Sequence, residues 1–226
     1  MTMIEIYLDT ADVGQVARFN QCFPLKGVTT NPTILAKAGA GLRGTLEALQ
    51  NAMGGSPRFH AQVVSTEVKD MVSEARQIAE LPYDIVVKIP ATEAGLAAIK
   101  EVKKENIPVL ATAIYSAQQG FMAALCGADY LAPYVNRIDA INGDGVKVVA
   151  DLQTLIERHQ LDAKILAASF KNVQQAMDVM KLGIGAITLP VDVAAQMLAH
   201  PSVEPAVEQF TCDWKNQFGE KLSFES

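Results

Sequence analysis

Short apolar runs alternate with longer segments whose apolar residues recur every three or four positions, and the alternation persists to the end of the 226 residues. The predicted strands are Ile4–Leu8, Lys26–Thr30, Phe59–Val64, Asp84–Ile89, Pro108–Ala113, Tyr130–Tyr134, Lys164–Ser169 and Ala186–Leu189. Several are nearly continuous in Val, Ile, Leu and Ala, the pattern of parallel strands covered on both faces. Helical spacing predicts helices over Val13–Cys22, Leu42–Met53, Thr66–Glu80, Glu93–Lys103, Ala117–Leu125, Val146–His159 and Val173–Leu182. Ser65 and Thr66 stand where the third helix would be capped, Asp144 before the sixth, and Gly183 after the last.

Repeated β-then-α order implies a parallel sheet. Eight units in this length fit an α/β chain folded as a small (β/α)8 TIM barrel with an additional C-terminal helix. An open doubly wound sheet is the alternative, but no G-x-G-x-x-G follows the first strand. Without a long linker or low-complexity stretch, residues 1–226 are expected to form one domain. The extra helix, Val203 to Phe218, places Val203, Val207, Phe210, Trp214 and Phe218 on one stripe. Such a stripe packs either on its own barrel or on a neighbouring subunit, and its aromatic content favours the neighbour.

Half the residues are hydrophobic and 19% are charged, the composition of a compact globular enzyme. A net charge of −6 argues against a nucleic-acid partner, which would demand a basic stripe. Residues 1–7 lack the basic and apolar regions of a signal peptide, and no apolar run reaches the length of a membrane span, so a cytoplasmic location away from membranes is expected. Cys22, Cys126 and Cys212 are far apart and read as reduced, mostly packed thiols. No H-x-x-x-H or His/Cys/carboxylate cluster suggests a metal.

Within the fourth strand, Lys88 interrupts an apolar run closed by Pro90. Burial disfavours an ammonium and lowers its pKa, and a neutral amine is a nucleophile that forms Schiff bases with carbonyls. The plainer reading is a strand-end lysine whose ammonium reaches water. A barrel gathers the carboxyl ends of its strands at one mouth. The strands would deliver Asp9, then Thr29, Thr30 and Asn31, then Gln62, Lys88, Thr112, Tyr134 with Asn136 and Arg137, and Ser169 with Lys171. Gln62, Thr112 and Tyr134 could hold a water for proton shuttling. Asn31 could hydrogen-bond the lysine or a substrate hydroxyl, and Asp9 could take a hydroxyl proton. Arg137 offers a planar donor fork for phosphate or carboxylate, with Ser169 completing an anion site. Each has a duller alternative: Asp9 as a helix cap, Thr29 to Asn31 as a turn before Pro32, Gln62 as a core amide, Arg137 paired with Asp139. His60 reads as packing or helix-facing.

Gly27-Val28-Thr29-Thr30-Asn31-Pro32-Thr33, Val86-Val87-Lys88-Ile89-Pro90 and Ala132-Pro133-Tyr134-Val135-Asn136-Arg137-Ile138-Asp139 resemble the signatures of the small transaldolase family, and the similarity extends from Ile6 to the C-terminal helix. The resemblance implies a (β/α)8 barrel and class I aldolase chemistry with no cofactor and no metal. It implies Lys88 as the Schiff-base lysine, Asp9 as the acid–base carboxylate, Asn31 and Thr112 as polar active-site positions, and Arg137 and Ser169 as the phosphate site. It also implies a homo-oligomer, a pentamer or decamer, in which the terminal helix crosses to a neighbour. Transaldolases of the family carry glutamate where this chain has Gln62, and usually phenylalanine where it has Tyr134. Both positions here resemble the family's fructose-6-phosphate aldolases, so cleavage of that sugar phosphate is expected, with dihydroxyacetone transfer as the alternative. A non-catalytic sugar-phosphate-binding barrel would have no need of Lys88.

Overall fold

The structure, a computed structural model, describes residues 3–225. Eight parallel strands, β1 (Glu5–Asp9), β2 (Leu25–Thr29), β3 (Arg58–Gln62), β4 (Asp84–Pro90), β5 (Val109–Ile114), β6 (Tyr130–Pro133), β7 (Lys164–Ala167) and β8 (Ala186–Leu189), close into a barrel in chain order. Pairing of β1 with β8 closes it and rules out the open sheet. Helices α1 (Val13–Asn20), α2 (Pro32–Ala38), α3 (Leu42–Met53), α4 (Val68–Ala79), α5 (Glu93–Lys103), α6 (Ala117–Leu125), α7 (Val135–Asp139), α8 (Gly145–Arg158), α9 (Val173–Met180) and α10 (Val191–Leu198) accompany the strands, and α11 (Val203–Phe218) follows.

All eight predicted strands and eight predicted helices are present, with shifted ends. Three helices were not predicted from the sequence: α2, α7 and α10. Of these, α2 and α7 have only 7 and 5 residues, too few to display two turns of apolar periodicity. Ser65 and Thr66 do not cap α4. Its N-cap is Glu67, with no side-chain bond, and the Ser65 N–H is taken by the Glu74 carboxylate. Asp144 does cap α8 through the Lys147 N–H. Gly183 adopts the left-handed conformation expected of it, φ 76°, two residues past the C-cap Lys181.

Alternation along each strand sends every second side chain inward, so the interior is layered. The middle layer is Tyr7, Val86, Leu110, Tyr130, Leu166 and Ala186. His60 belongs here too: its ring meets Tyr7 and Tyr130 edge-on at 4.8 and 5.2 Å, so it packs inside the barrel and does not face a helix. Below, at the amino end of the strands, polar side chains close the floor. Tyr7 and Tyr130 hydroxyls and Lys164 all donate to the Glu5 carboxylate, while Arg58 donates to Asp84 and to the Tyr130 oxygen. Burial pushes the Glu5 pKa up, but these donors outweigh it and hold the carboxyl below its usual range. The layer above lies at the carboxyl ends.

Gly27 lies where β2 meets β3, and a Cβ there would sit 1.7 Å from the Arg58 carbonyl oxygen. Only glycine permits this approach. The stripe on α11 does not pack on the barrel: none of the helix's residues is buried, and Phe210 is 71% exposed. The cysteines are free, but Cys22 and Cys212 are exposed rather than packed, since they lie in the turn after α1 and on the uncovered α11. No helix among the described residues is long and apolar enough to cross a membrane.

Candidate active site

A cavity of about 190 Å³ opens at the carboxyl ends of the strands. Asp9, Thr29, Asn31, Lys88, Tyr134, Arg137 and Ser169 line it, with Leu110, Ala132 and Leu166 as its apolar base. The predicted polar mouth is thus largely assembled in one place.

Lys88 is the fifth of seven residues of β4 and only 5% exposed. It does not snorkel. Its Nζ donates to the Thr30 carbonyl at 2.7 Å, not to Asn31. Desolvation lowers its pKa, partly opposed by the negative charge of Asp9. The same burial that weakens the ammonium makes the free amine more available for attack on a carbonyl.

Asp9 does not cap a helix; Asp12 caps α1. Asp9 instead accepts from the Thr29 hydroxyl at 2.7 Å, and Thr29 lies 2.7 Å from the Thr188 hydroxyl. A carboxylate only accepts, so Thr29 gives its proton to Asp9 and Thr188 gives its own to Thr29. This directed chain fixes the carboxylate. Thr188 lines the cavity and is a position that the strand-end reading passed over, although it is the inward threonine just before Leu189-Pro190.

Asn31 is the N-cap of α2, its Oδ1 accepting from the Ile34 N–H, while Pro32 stands at the start of the helix. The capping bond orients the amide so that its Nδ2 is left as the donor. Thr29 and Asn31 both line the cavity, whereas the Thr30 hydroxyl turns away to the His60 carbonyl.

Thr112 is fully buried and lies 2.7 Å from the Tyr134 hydroxyl. It reaches the site through Tyr134 rather than as a lining residue. Burial raises the Tyr134 pKa, against the smaller opposing effects of Thr112 and Arg137, so the phenol keeps its proton at neutral pH. Beside Thr112, Ala113 has φ 57°, at the point where the β5–β6 register shifts. Just past this irregularity the Tyr134 N–H donates to the Ile114 carbonyl at 3.0 Å. Backbone strain of this kind is worth about 1–3 kcal/mol and concentrates at functional sites.

Arg137 comes from α7. Its guanidinium lies over the Tyr134 ring at 4.8 Å and faces the Tyr115 hydroxyl at 3.4 Å, so the alternative of a pair with Asp139 does not form. Asp139 instead receives the Gly145 N–H and Gln175. Ser169 holds φ 63°, which turns the chain sharply at the cavity wall. Tyr115 was also missed in the sequence; it sits on the loop after β5, whose position relative to Arg137 only the closed barrel defines.

Gln62 is opposite Lys88 in the β3–β4 register but is not among the residues lining the cavity. Lys171 is not among them either. The cluster thus holds a desolvated amine, a carboxylate fixed by hydroxyls, a protonated phenol and a guanidinium lying over the phenol's ring. Those are the parts needed to form an iminium, move protons beside it and bind an anion.

Solved structures of flavocytochrome b2 share the architecture. A double mutant with sulfite bound superposes with a TM-score of 0.59 at 13% identity, and one with pyruvate bound with 0.60 at 12%. The alignments cover 84% and 83% of this chain and 56% of those chains, so this chain spans just over half their length. At such identities the likeness extends to the fold alone. The transaldolase/fructose-6-phosphate aldolase family matches residues 6–224. With that match over nearly its whole length, the chain belongs to this family.

Proposed function

We propose that the protein reversibly cleaves fructose 6-phosphate to dihydroxyacetone and glyceraldehyde 3-phosphate. The observation that carries this reading is the 5%-exposed Lys88 amine in one cavity with Asp9, Tyr134 and Arg137. Lys88 adds to the ketone carbonyl, and loss of water gives an iminium. Asp9 removes the proton from the hydroxyl of the carbon beyond the breaking bond. The bond's electron pair flows into the iminium to give an enamine, and the aldehyde phosphate departs. Tyr134, which keeps its proton, supplies one as water enters and leaves the lysine adduct and as the enamine is quenched. Hydrolysis then frees dihydroxyacetone and the amine. Arg137 and Ser169 hold the phosphate.

Tyr134 and its bond to Thr112 favour cleavage over transfer, since a phenol beside the enamine can end the reaction by protonation. Gln62 carries less of this distinction, because it does not line the cavity. The exposed stripe of α11 supports assembly of several copies, with the helix covered by a neighbour. No metal or organic cofactor takes part in these steps.

Release of glyceraldehyde 3-phosphate from fructose 6-phosphate is to be measured with and without erythrose 4-phosphate. Release without the acceptor supports the aldolase; release only with it makes the enzyme a transaldolase. Borohydride with dihydroxyacetone should fix a three-carbon adduct on Lys88, and full turnover by Lys88→Met would refute the lysine's role. Gln62→Glu tests whether that position still biases transfer against cleavage.

A further inference from the structure

Two glutamines in the first turns of their helices stitch loops of the mouth together. Gln119 on α6 accepts the Tyr115 N–H through Oε1 at 3.0 Å, and its Nε2 reaches the Ala91 carbonyl at 3.5 Å. Gln175 on α9 does the same with shorter bonds and on more consequential partners. Its Oε1 accepts the Lys171 N–H at 2.8 Å, two residues beyond Ser169. Its Nε2 donates to Asp139 Oδ2 at 2.6 Å and approaches Asn136 Oδ1 at 3.4 Å, the residues on either side of Arg137 in α7. Asp139 Oδ1 is occupied by the Gly145 N–H at 2.7 Å, and the Asn136 N–H donates to the Ser169 carbonyl at 2.7 Å. The partners fix the amide's orientation, because a backbone N–H needs an acceptor and a carboxylate needs a donor.

We infer that Gln175 is a positioning residue for the anion end of the site, tying the short Arg137 helix to the Ser169 loop. A helix of 5 residues is too short to hold its own orientation, so Arg137 depends on what anchors α7 from outside. Gln175 is not among the cavity-lining residues and acts only through the two segments it joins. The inference rests on the proposed phosphate role of Arg137 and Ser169.

Gln175→Glu is nearly isosteric and keeps the acceptor for Lys171, but it sets a carboxylate oxygen against Asp139. Like charges at such contact repel strongly. Asp139→Asn in the same chain restores a donor–acceptor pair with the donor moved to the other side, and its remaining oxygen still accepts from Gly145.

Dihydroxyacetone addition to glyceraldehyde 3-phosphate and to unphosphorylated glyceraldehyde should be compared in the wild type, Gln175→Glu and the double variant. The single variant is expected to raise KM for the phosphorylated acceptor roughly tenfold, with kcat and the unphosphorylated reaction little changed, the pattern of a lost contact that ground and transition states share. The double variant should recover. Borohydride trapping on Lys88 and the unfolding midpoint confirm that each variant is folded with a competent lysine. An equal loss on both acceptors, or no loss on either, overturns the inference, as does failure of the double variant to recover. If the wild type itself does not prefer the phosphorylated acceptor, the phosphate reading fails first and this inference with it.

Discussion

Replacing His60 with phenylalanine should make the protein progressively more stable relative to wild type as the pH falls. His60 is fully buried between the rings of Tyr7 and Tyr130, and neither ring nitrogen has a hydrogen-bond partner among the described residues. A buried unsatisfied polar group costs about 1–3 kcal/mol, so its removal contributes on that order at pH 7. Phenylalanine keeps both edge-on contacts. Being larger, it also risks overpacking, which acts against the gain by about 1–3 kcal/mol. The pH dependence separates the two effects. Desolvation first, then the charges of Lys88 and Arg58, hold the His60 pKa well below its ordinary 6.5. As pH falls through 6.5 the unfolded chain binds a proton that the folded chain refuses, and the wild type loses stability. One pH unit below that value the loss is about 1.4 kcal/mol, and the variant, having no such group, escapes it. Urea unfolding at pH 7.0 and 5.5 measures this directly. The advantage of the variant over wild type should grow by about 1.3 kcal/mol between the two, or several degrees in unfolding midpoint for a chain of this length. Overpacking displaces both values equally and leaves the difference intact. An advantage that is the same at both pH values would refute the account and show that the imidazole is protonated or solvated inside the barrel.

Lys88→Met should abolish the borohydride adduct and raise the unfolding midpoint at neutral pH, because it removes a desolvated amine. Wild type should gain stability as pH rises toward 10.5, where its unfolded lysine releases its proton, and the variant should lack that component. Tyr134→Phe keeps the ring under Arg137 but deletes the hydroxyl bonded to Thr112. It should lower kcat by about 10²-fold with KM for the sugar phosphate nearly unchanged, the size of a lost general-acid contribution; a large KM effect instead would make Tyr134 a binding residue. Gly27→Ala drives a methyl into the Arg58 carbonyl and should destabilise the barrel by about 3 kcal/mol or more, seen as loss of native circular dichroism or of soluble protein.

Much of this molecule is legible in its sequence because strand and helix periodicities are local properties. The eight apolar runs and the helices between them stand out at their own spacing, and a chain of βα units in this length has few ways to close. Lys88 was legible for the same reason: a charge inside an apolar run contradicts its surroundings and calls for an explanation. Short helices such as α7 left no such trace, although α7 carries Arg137.

What the sequence by itself determined was which side chains stand at the strand ends. Only the closed barrel decided which of them share the cavity. Asp9 is held by Thr29 and Thr188, residues 20 and 159 positions away from Asp9 and Thr29 respectively, and Lys88 is held by the carbonyl of Thr30, 58 positions away. Gln62 has the right strand position but does not line the cavity. The burial of His60, the floor around Glu5 and the Gln175 clamp likewise depend on residues brought together from distant strands and helices. Periodicity is set by neighbours along the chain, whereas hydrogen bonds and desolvation are set by neighbours in space, and those exist only once β1 has paired with β8.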